Sequence, residues 1–182
     1  MRSFIAIDLP EPIHQELARQ QAAFRRLCPD ARWTRTEGIH LTLKFLGQIS
    51  EAQLGQVAEA LKDTGHFAKF TVEIKGFGFF PDARRPRVFW AGVVAPPDLD
   101  RLAARVEDAM AALGFAREQR VYRPHLTLAR FREPRPQPSL REAAEQHAEL
   151  SLGKFEVTEF FLYESRLAPQ GAEYRKLVRF PP

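Results

Sequence analysis

A single cysteine, Cys28, stands in 182 residues. One thiol excludes an internal disulfide and suits a reducing compartment. No apolar run approaches the roughly 20 residues that span a bilayer. The opening Met1-Arg2-Ser3-Phe4-Ile5-Ala6-Ile7-Asp8 is too short and too soon acidic for a secretory signal, and it reads as a first strand. These absences together predict a cytoplasmic protein. Glycine-rich phosphate loops are also missing: no G-x-G-x-x-G or P-loop pattern follows any strand, which removes support for dinucleotide or triphosphate use. No H-x-x-H, H-E-x-x-H or G-x-S-x-G occurs, so neither a zinc hydrolase nor a serine hydrolase is indicated. No cofactor is called for.

Lysine is scarce at six residues, against 21 arginines, and the net charge is +4. Arginine offers bidentate donors to phosphate and stacks on bases, so the balance favours an anionic partner such as RNA. Codon bias in a GC-rich genome explains the same excess equally well. The chain is 45% hydrophobic, with 15 phenylalanines, enough for one sizeable core.

Five histidines are present. His14 sits in the first turn of an expected helix and reads as solvated. His66 reads as a loop or cap residue, and His147 continues an apolar stripe. His40 and His125 differ from these. His40-Leu41-Thr42-Leu43 recurs as His125-Leu126-Thr127-Leu128, 85 positions later. Polar–leucine alternation is the period of a half-buried strand. It places both leucines on the core side and His and Thr together on the other. Two imidazoles brought to one site suit general base and general acid, and each threonine can donate to a phosphate oxygen. Lys44 shares the parity of His40 and Thr42 and is expected to face the same cleft. Strict alternation puts Arg130 on the leucine side, out of reach of His125 unless the strand bulges.

Around the motifs, strands are expected at Phe4–Asp8, Ala31–Thr36, His40–Leu46, Phe70–Phe77, Arg87–Val94, His125–Phe131, Phe155–Ser165 and Tyr174–Phe180. Gly76, Gly78 and Pro81 mark a turn. Helices are expected over Pro12–Leu27, after a capping box at Ser50–Gln53, over Leu99–Leu113 ending at Gly114, and after a second capping box at Ser139–Glu142. Hairpin-like strand pairs among the helices favour antiparallel or mixed sheets in an α+β fold.

Two H-x-T-x motifs at this separation resemble the 2H phosphoesterase superfamily. The chain is similar in particular to the bacterial and archaeal RNA 2′,3′-cyclic phosphodiesterases, historically called 2′-5′ RNA ligases. The matching stretches are Phe4–Pro10, His40–Gly47, Pro86–Gly92, Arg123–Arg130 and Tyr163–Leu167. The resemblance implies one bilobal domain over residues 1–182, pseudo-twofold symmetric, with interleaved lobes, sheets lining a central cleft and helices outside. It implies metal-independent hydrolysis of a terminal 2′,3′-cyclic phosphate to a 2′-phosphate, with ATP-independent 2′-5′ ligation as a reaction of the same site. By the same resemblance His40 is the proton donor, His125 the acceptor, and Thr42 and Thr127 hold phosphate oxygens. The expected partners are RNA ends such as tRNA halves, met by a monomer with no membrane contact. Two alternatives stand: a 2H enzyme acting on small cyclic phosphates or 2′-5′ oligonucleotides, and a non-catalytic RNA-binding module.

Overall fold

A computed structural model describes all residues, 1–182. Nine strands and four α-helices follow one another along it: β1 (Arg2–Ile7), α1 (Glu11–Arg25), β2 (Arg32–Trp33), a single 3₁₀ turn (Thr36–Gly38), β3 (Leu41–Gln48), α2 (Glu51–Ala60), β4 (Phe70–Phe80), β5 (Val88–Val94), α3 (Pro97–Ala112), β6 (His125–Arg130), α4 (Pro138–Gln146), β7 (Ser151–Val157), β8 (Phe160–Ala168) and β9 (Gly171–Phe180). The fold class is α+β, as expected, and every strand pairing is antiparallel. No helix is long and apolar enough to cross a membrane.

The strands form two sheets, ordered β3-β1-β8-β9 and β2-β6-β5-β4-β7. Each draws strands from both halves of the chain. The helices are traded too. α1 packs on β7 and α4 on β4, both in the second sheet, while α3 packs on β3 in the first. One cluster of 33 buried residues runs through both sheets and the apolar stripes of the helices, from Ile5 and Leu17 to Val106 and Leu162. A second, four-residue cluster of Phe4, Ala6, Phe161 and Tyr163 lies on the opposite face of the first sheet. Two-sided burial explains the unbroken apolar runs Phe4–Ile7 in β1 and Phe160–Tyr163 in β8, where alternation would be expected of one-sided strands.

Local chemistry follows the sequence in several places. The capping box forms: Ser50 Oγ accepts from Gln53 N at 3.1 Å, and Gln53 Oε1 accepts from Ser50 N at 2.9 Å. α3 ends before Gly114, whose φ of +92° suits the left-handed cap. Three expectations fail. The second capping box does not form, because α4 starts at Pro138 with Gln137 as an unbonded cap and Ser139 already inside the helix. Proline pre-set for the first turn outweighs the Ser signal. Gly76 and Gly78 lie within β4, and the turn comes after Phe80. Gly76 takes φ +72° where the register shifts, and a Cβ there would stand 2.6 Å from the Ala148 carbonyl. The stretch Phe155–Ser165 is two strands, β7 and β8, in different sheets, broken at Thr158-Glu159.

Candidate functional site

β3 lies at one edge of the first sheet, and β6 is next to the edge strand of the second. The two sheets approach each other along these strands, which carry the repeated motif. His40 immediately precedes β3, and His125 opens β6. Both are held the same way. His40 Nδ1 lies 3.1 Å from the Gly38 carbonyl, and His125 Nδ1 lies 2.7 Å from the Arg123 carbonyl. A carbonyl only accepts, so each Nδ1 carries the proton and each Nε2 keeps a free lone pair. The supporting carbonyl is two residues upstream in both cases.

Strand register defines the face shared with the histidines. Thr42 pairs with Ala6 of the four-residue cluster, and Thr127 pairs with Trp90. Directly opposed residues in an antiparallel pair project to the same side. Leu41 and Leu126 point the other way and are fully buried. The predicted split, His and Thr on one face and Leu on the other, therefore holds for the first four residues of each motif.

Beyond them both strands bulge. The register of β3 against β1 shifts between Thr42↔Ala6 and Lys44↔Ile5, leaving Leu43 as the extra residue. The register of β6 against β5 shifts between Thr127↔Trp90 and Ala129↔Phe89, leaving Leu128 as the extra residue. Each bulge reverses the alternation that follows. Lys44 therefore turns to the core side, contrary to expectation. It is 7% exposed, with Nζ 2.8 Å from Glu107 Oε1 on α3 and donating to the Ala116 carbonyl at 3.0 Å. Arg130 takes the opposite course and turns to the histidine face. The equivalent of Arg130 in the first motif is Phe45, which pairs with Phe4 and is 69% exposed. Neither Phe45 nor Arg130 is singled out by alternation. The signal present in the sequence was Leu128-Ala129, two apolar residues in succession where one was due.

The bulge of β6 is held from inside. Gln21 on α1 is 7% exposed, and its amide donates to the Leu128 carbonyl at 3.1 Å and to the Thr34 carbonyl at 2.8 Å. Its Oε1 accepts from Thr36 Oγ1 at 3.0 Å. A buried amide with every partner supplied fixes local geometry more firmly than an apolar residue would. His14 is also structural and not solvated: its Nδ1 donates to the Thr36 carbonyl at 2.9 Å. Tyr122, three residues before His125, donates its hydroxyl to the Thr42 carbonyl at 2.9 Å. The approach to the second motif is thereby tied to the backbone of the first.

The two imidazoles differ in surroundings. His40 stands among Tyr163, Tyr174 and Phe4, with ring centroids at 4.5, 5.2 and 5.7 Å. Gly38 allows this, since a Cβ there would stand 2.7 Å from the Tyr174 ring. Burial pushes the His40 pKa down to about 4, against the smaller opposing pull of Asp8. His125 touches one aromatic, Phe80, edge-on at 4.8 Å. Its pKa is lowered by burial first, with a further push from the Arg130 charge, partly opposed by the Arg123 carbonyl. Each ring opens on its own cavity. The one beside His40 has a volume of about 570 Å³ and is lined by Asp8, Arg35, Tyr174 and Lys176. The one beside His125 has about 490 Å³ and is lined by Lys75, Phe80, Trp90 and Tyr122. His66 and His147 lie outside both.

Residues 9–168 match the family model described as the 2′-5′ RNA ligase superfamily. The chain belongs to that superfamily. Among curated proteins it is 32% identical to the RNA 2′,3′-cyclic phosphodiesterase of Methanothermobacter thermautotrophicus, over 99% of this chain and 98% of that one. Among solved structures it is similar to TT0787 of Thermus thermophilus, with a TM-score of 0.81 and 29% identity, covering 99% of this chain and 97% of the other. Escherichia coli LigT complexed with 3′-AMP superposes with a TM-score of 0.78 at 26% identity, covering 98% of this chain and 96% of that one. The fold of this superfamily member is thus the LigT-type 2H phosphoesterase fold.

Proposed function

We propose that the protein is an RNA 2′,3′-cyclic phosphodiesterase that opens a terminal cyclic phosphate to a 2′-phosphomonoester by two-histidine acid–base catalysis, without a metal. The observation that carries this reading is the paired arrangement of imidazoles. Two imidazoles, each with its Nδ1 held by the carbonyl two residues upstream and a threonine beside it, stand on the two strands along which the sheets meet. The activity named for the full-length relatives supports the substrate.

His125 Nε2 accepts a proton from water as its oxygen adds to phosphorus. His40 gives a proton to O3′ as the P–O3′ bond breaks, leaving the phosphate on O2′. Thr42 and Thr127 donate to the non-bridging oxygens, where negative charge accumulates. Arg130 adds a cation to that charge, and Phe45 offers its exposed ring to the terminal base. Burial fits His40 to the role of acid: once protonated, an imidazole of lowered pKa is the readier donor. The bound phosphodiester supplies the negative charge that favours its protonation. With an RNA 5′-hydroxyl in the place of water, the same steps form a 2′-5′ linkage. The reading assigns RNA ends as partners and one chain as a complete site.

The deciding experiment incubates the purified protein with RNA ending in 2′,3′-cyclic phosphate, in EDTA, and identifies the product. A 2′-phosphate is expected. A 3′-phosphate would reverse which oxygen departs. Loss of activity in EDTA with rescue by a divalent ion would replace the mechanism with a metal-assisted one, and binding with no turnover would leave an RNA-binding module.

A further inference from the structure

Arg32 and Arg130 face each other across two strands. They are Cα partners in the β2–β6 pair, and their neighbours Trp33 and Ala129 pair in the next position. Trp33 points to the core, where its ring meets Phe89 at 6.0 Å and its Nε1 donates to the Cys28 carbonyl at 2.8 Å. Ala129 is fully buried on the same side. Arg32 therefore projects with Arg130 to the histidine face, one strand further out, about 4.8 Å along the sheet.

Like charges directly opposed on adjacent strands destabilise a sheet. Both side chains are exposed, and neither guanidinium has an ion-pair or hydrogen-bond partner in the protein. The fold nevertheless fixes the pair. Gln21 ties the Thr34 and Leu128 carbonyls from beneath, and Thr34 N donates to the same Leu128 carbonyl at 2.9 Å. β2 is only two residues long, so pairing energy is no reason to keep two cations opposed there. Arg87 lies at the same end of the sheet, just before the Val88 that pairs with Arg130 on its other side. The one nearby acid on the following loop, Glu133, is taken by Arg135 at 2.6 Å. The result is an unneutralised pair of guanidinium groups, Arg32 and Arg130, side by side on the histidine face; Arg87, of opposite parity to Val88, donates instead to the Arg132 carbonyl at 3.4 Å.

We infer that Arg32 forms a second phosphate subsite, which holds the phosphodiester one nucleotide upstream of the cyclic end while Arg130 serves the reacting phosphate. This rests on the proposed function and deepens it: the site prefers an oligonucleotide end to a cyclic mononucleotide. An anion between the two arginines converts a repulsive pair into a bridged one. Arg32 touches neither the reacting atoms nor the terminal nucleoside, so its effect is confined to substrates that carry a second phosphate.

The test compares wild type with Arg32→Ala on cytidine 2′,3′-cyclic phosphate and on a trinucleotide with the same cyclic end. Arg32→Ala should lower kcat/KM on the trinucleotide about 10-fold, through KM, and leave the mononucleotide unchanged. The slope of log affinity against log salt for the trinucleotide should become shallower by about 1. In low-salt, phosphate-free buffer the variant should melt at the same temperature as wild type or higher, because repulsion is relieved; a structural arginine would give a lower one. Equal losses on both substrates, or no loss on either, would overturn the inference. Anisotropy binding of the 2′-phosphate-ended trinucleotide and of the mononucleotide 2′-phosphate keeps the test independent of turnover. If wild type hydrolyses neither substrate, the catalytic reading falls, and Arg32→Ala must still weaken trinucleotide binding alone for the subsite to stand.

Discussion

The first and second motif strands begin with the same four residues, carry a bulge at the same position and hold their histidines by the same upstream carbonyl. They differ in what stands around that frame. One imidazole is enclosed by Tyr163, Tyr174 and Phe4, with Phe45 after the bulge; the other meets only Phe80 and has Arg130 after the bulge. A repeated backbone therefore does not make two equal groups. The shared part orients each imidazole the same way on its own strand, and the neighbours decide which is pushed furthest from its ordinary pKa.

The strongest way to break this comparison is to remove one histidine at a time. His40→Ala and His125→Ala should each lower kcat on a cyclic-phosphate end by about 10²- to 10⁴-fold, the usual worth of a positioned acid or base. They should part on an activated aryl phosphodiester whose leaving oxygen needs no proton. His40→Ala should recover much of its rate there and His125→Ala should not. Equal recovery would show that the two roles are not divided in this way.

The residues after Thr42 and Thr127 on the histidine face give the next contrast. Stacking on an aromatic ring contributes about 1–3 kcal/mol per base, so Phe45→Ala should raise KM roughly 10-fold with little change in kcat. On the proposed function, Arg130→Ala should act on kcat, because its charge is assigned there to the reacting phosphate. Steady-state kinetics on one cyclic-phosphate trinucleotide would separate them, and a shared pattern would remove the asymmetry.

Lys44 and Ala129 occupy equivalent positions, one charged and one apolar. Lys44→Met leaves Glu107 without its cation and should cost about 2 kcal/mol of stability, read by urea denaturation. A neutral result would mean that Glu107 protonates or that water replaces the ammonium.

The smallest expected effect is on pH. With His40 near 4 and His125 also below its ordinary value, kcat/KM should follow a bell whose maximum lies on the acid side of neutrality. Stability carries the same signature. A histidine whose folded pKa is lowered binds fewer protons folded than unfolded, so stability falls as pH drops from about 6.5 towards 4. His40→Gln should flatten that fall in a thermal-melt series; an unchanged slope would assign the loss to other groups.

Much of this arrangement was legible in the sequence. The motif repeat named both histidines and both threonines, and the Ser50 box and the Gly114 stop marked real helix ends. What alternation cannot show is a bulge. Only the apolar doublet Leu128-Ala129 hints at one, and Leu43-Lys44 gives no such sign, yet each bulge reverses every side chain after it, and so Lys44 and Arg130 exchanged expected places. Gln21 and His14 were equally hidden. On a helix with polar neighbours they resemble solvent-facing residues, and only the third dimension brings the Leu128 and Thr36 carbonyls to them. Ser139 shows the reverse case, a good local signal overruled by a neighbouring proline.

The exchange of helices and strands between the halves bears on how the protein comes apart. Neither half of the chain can cover a sheet of its own, and Tyr122 and Lys44 strap the first motif to the segment leading into the second. A protein built this way has no subunit-like piece that survives alone, so a cut in the loop between β5 and α3 should abolish folding of both fragments separately. Placement of the two imidazoles and global cooperativity then become a single quantity: both motif strands are in place or neither is.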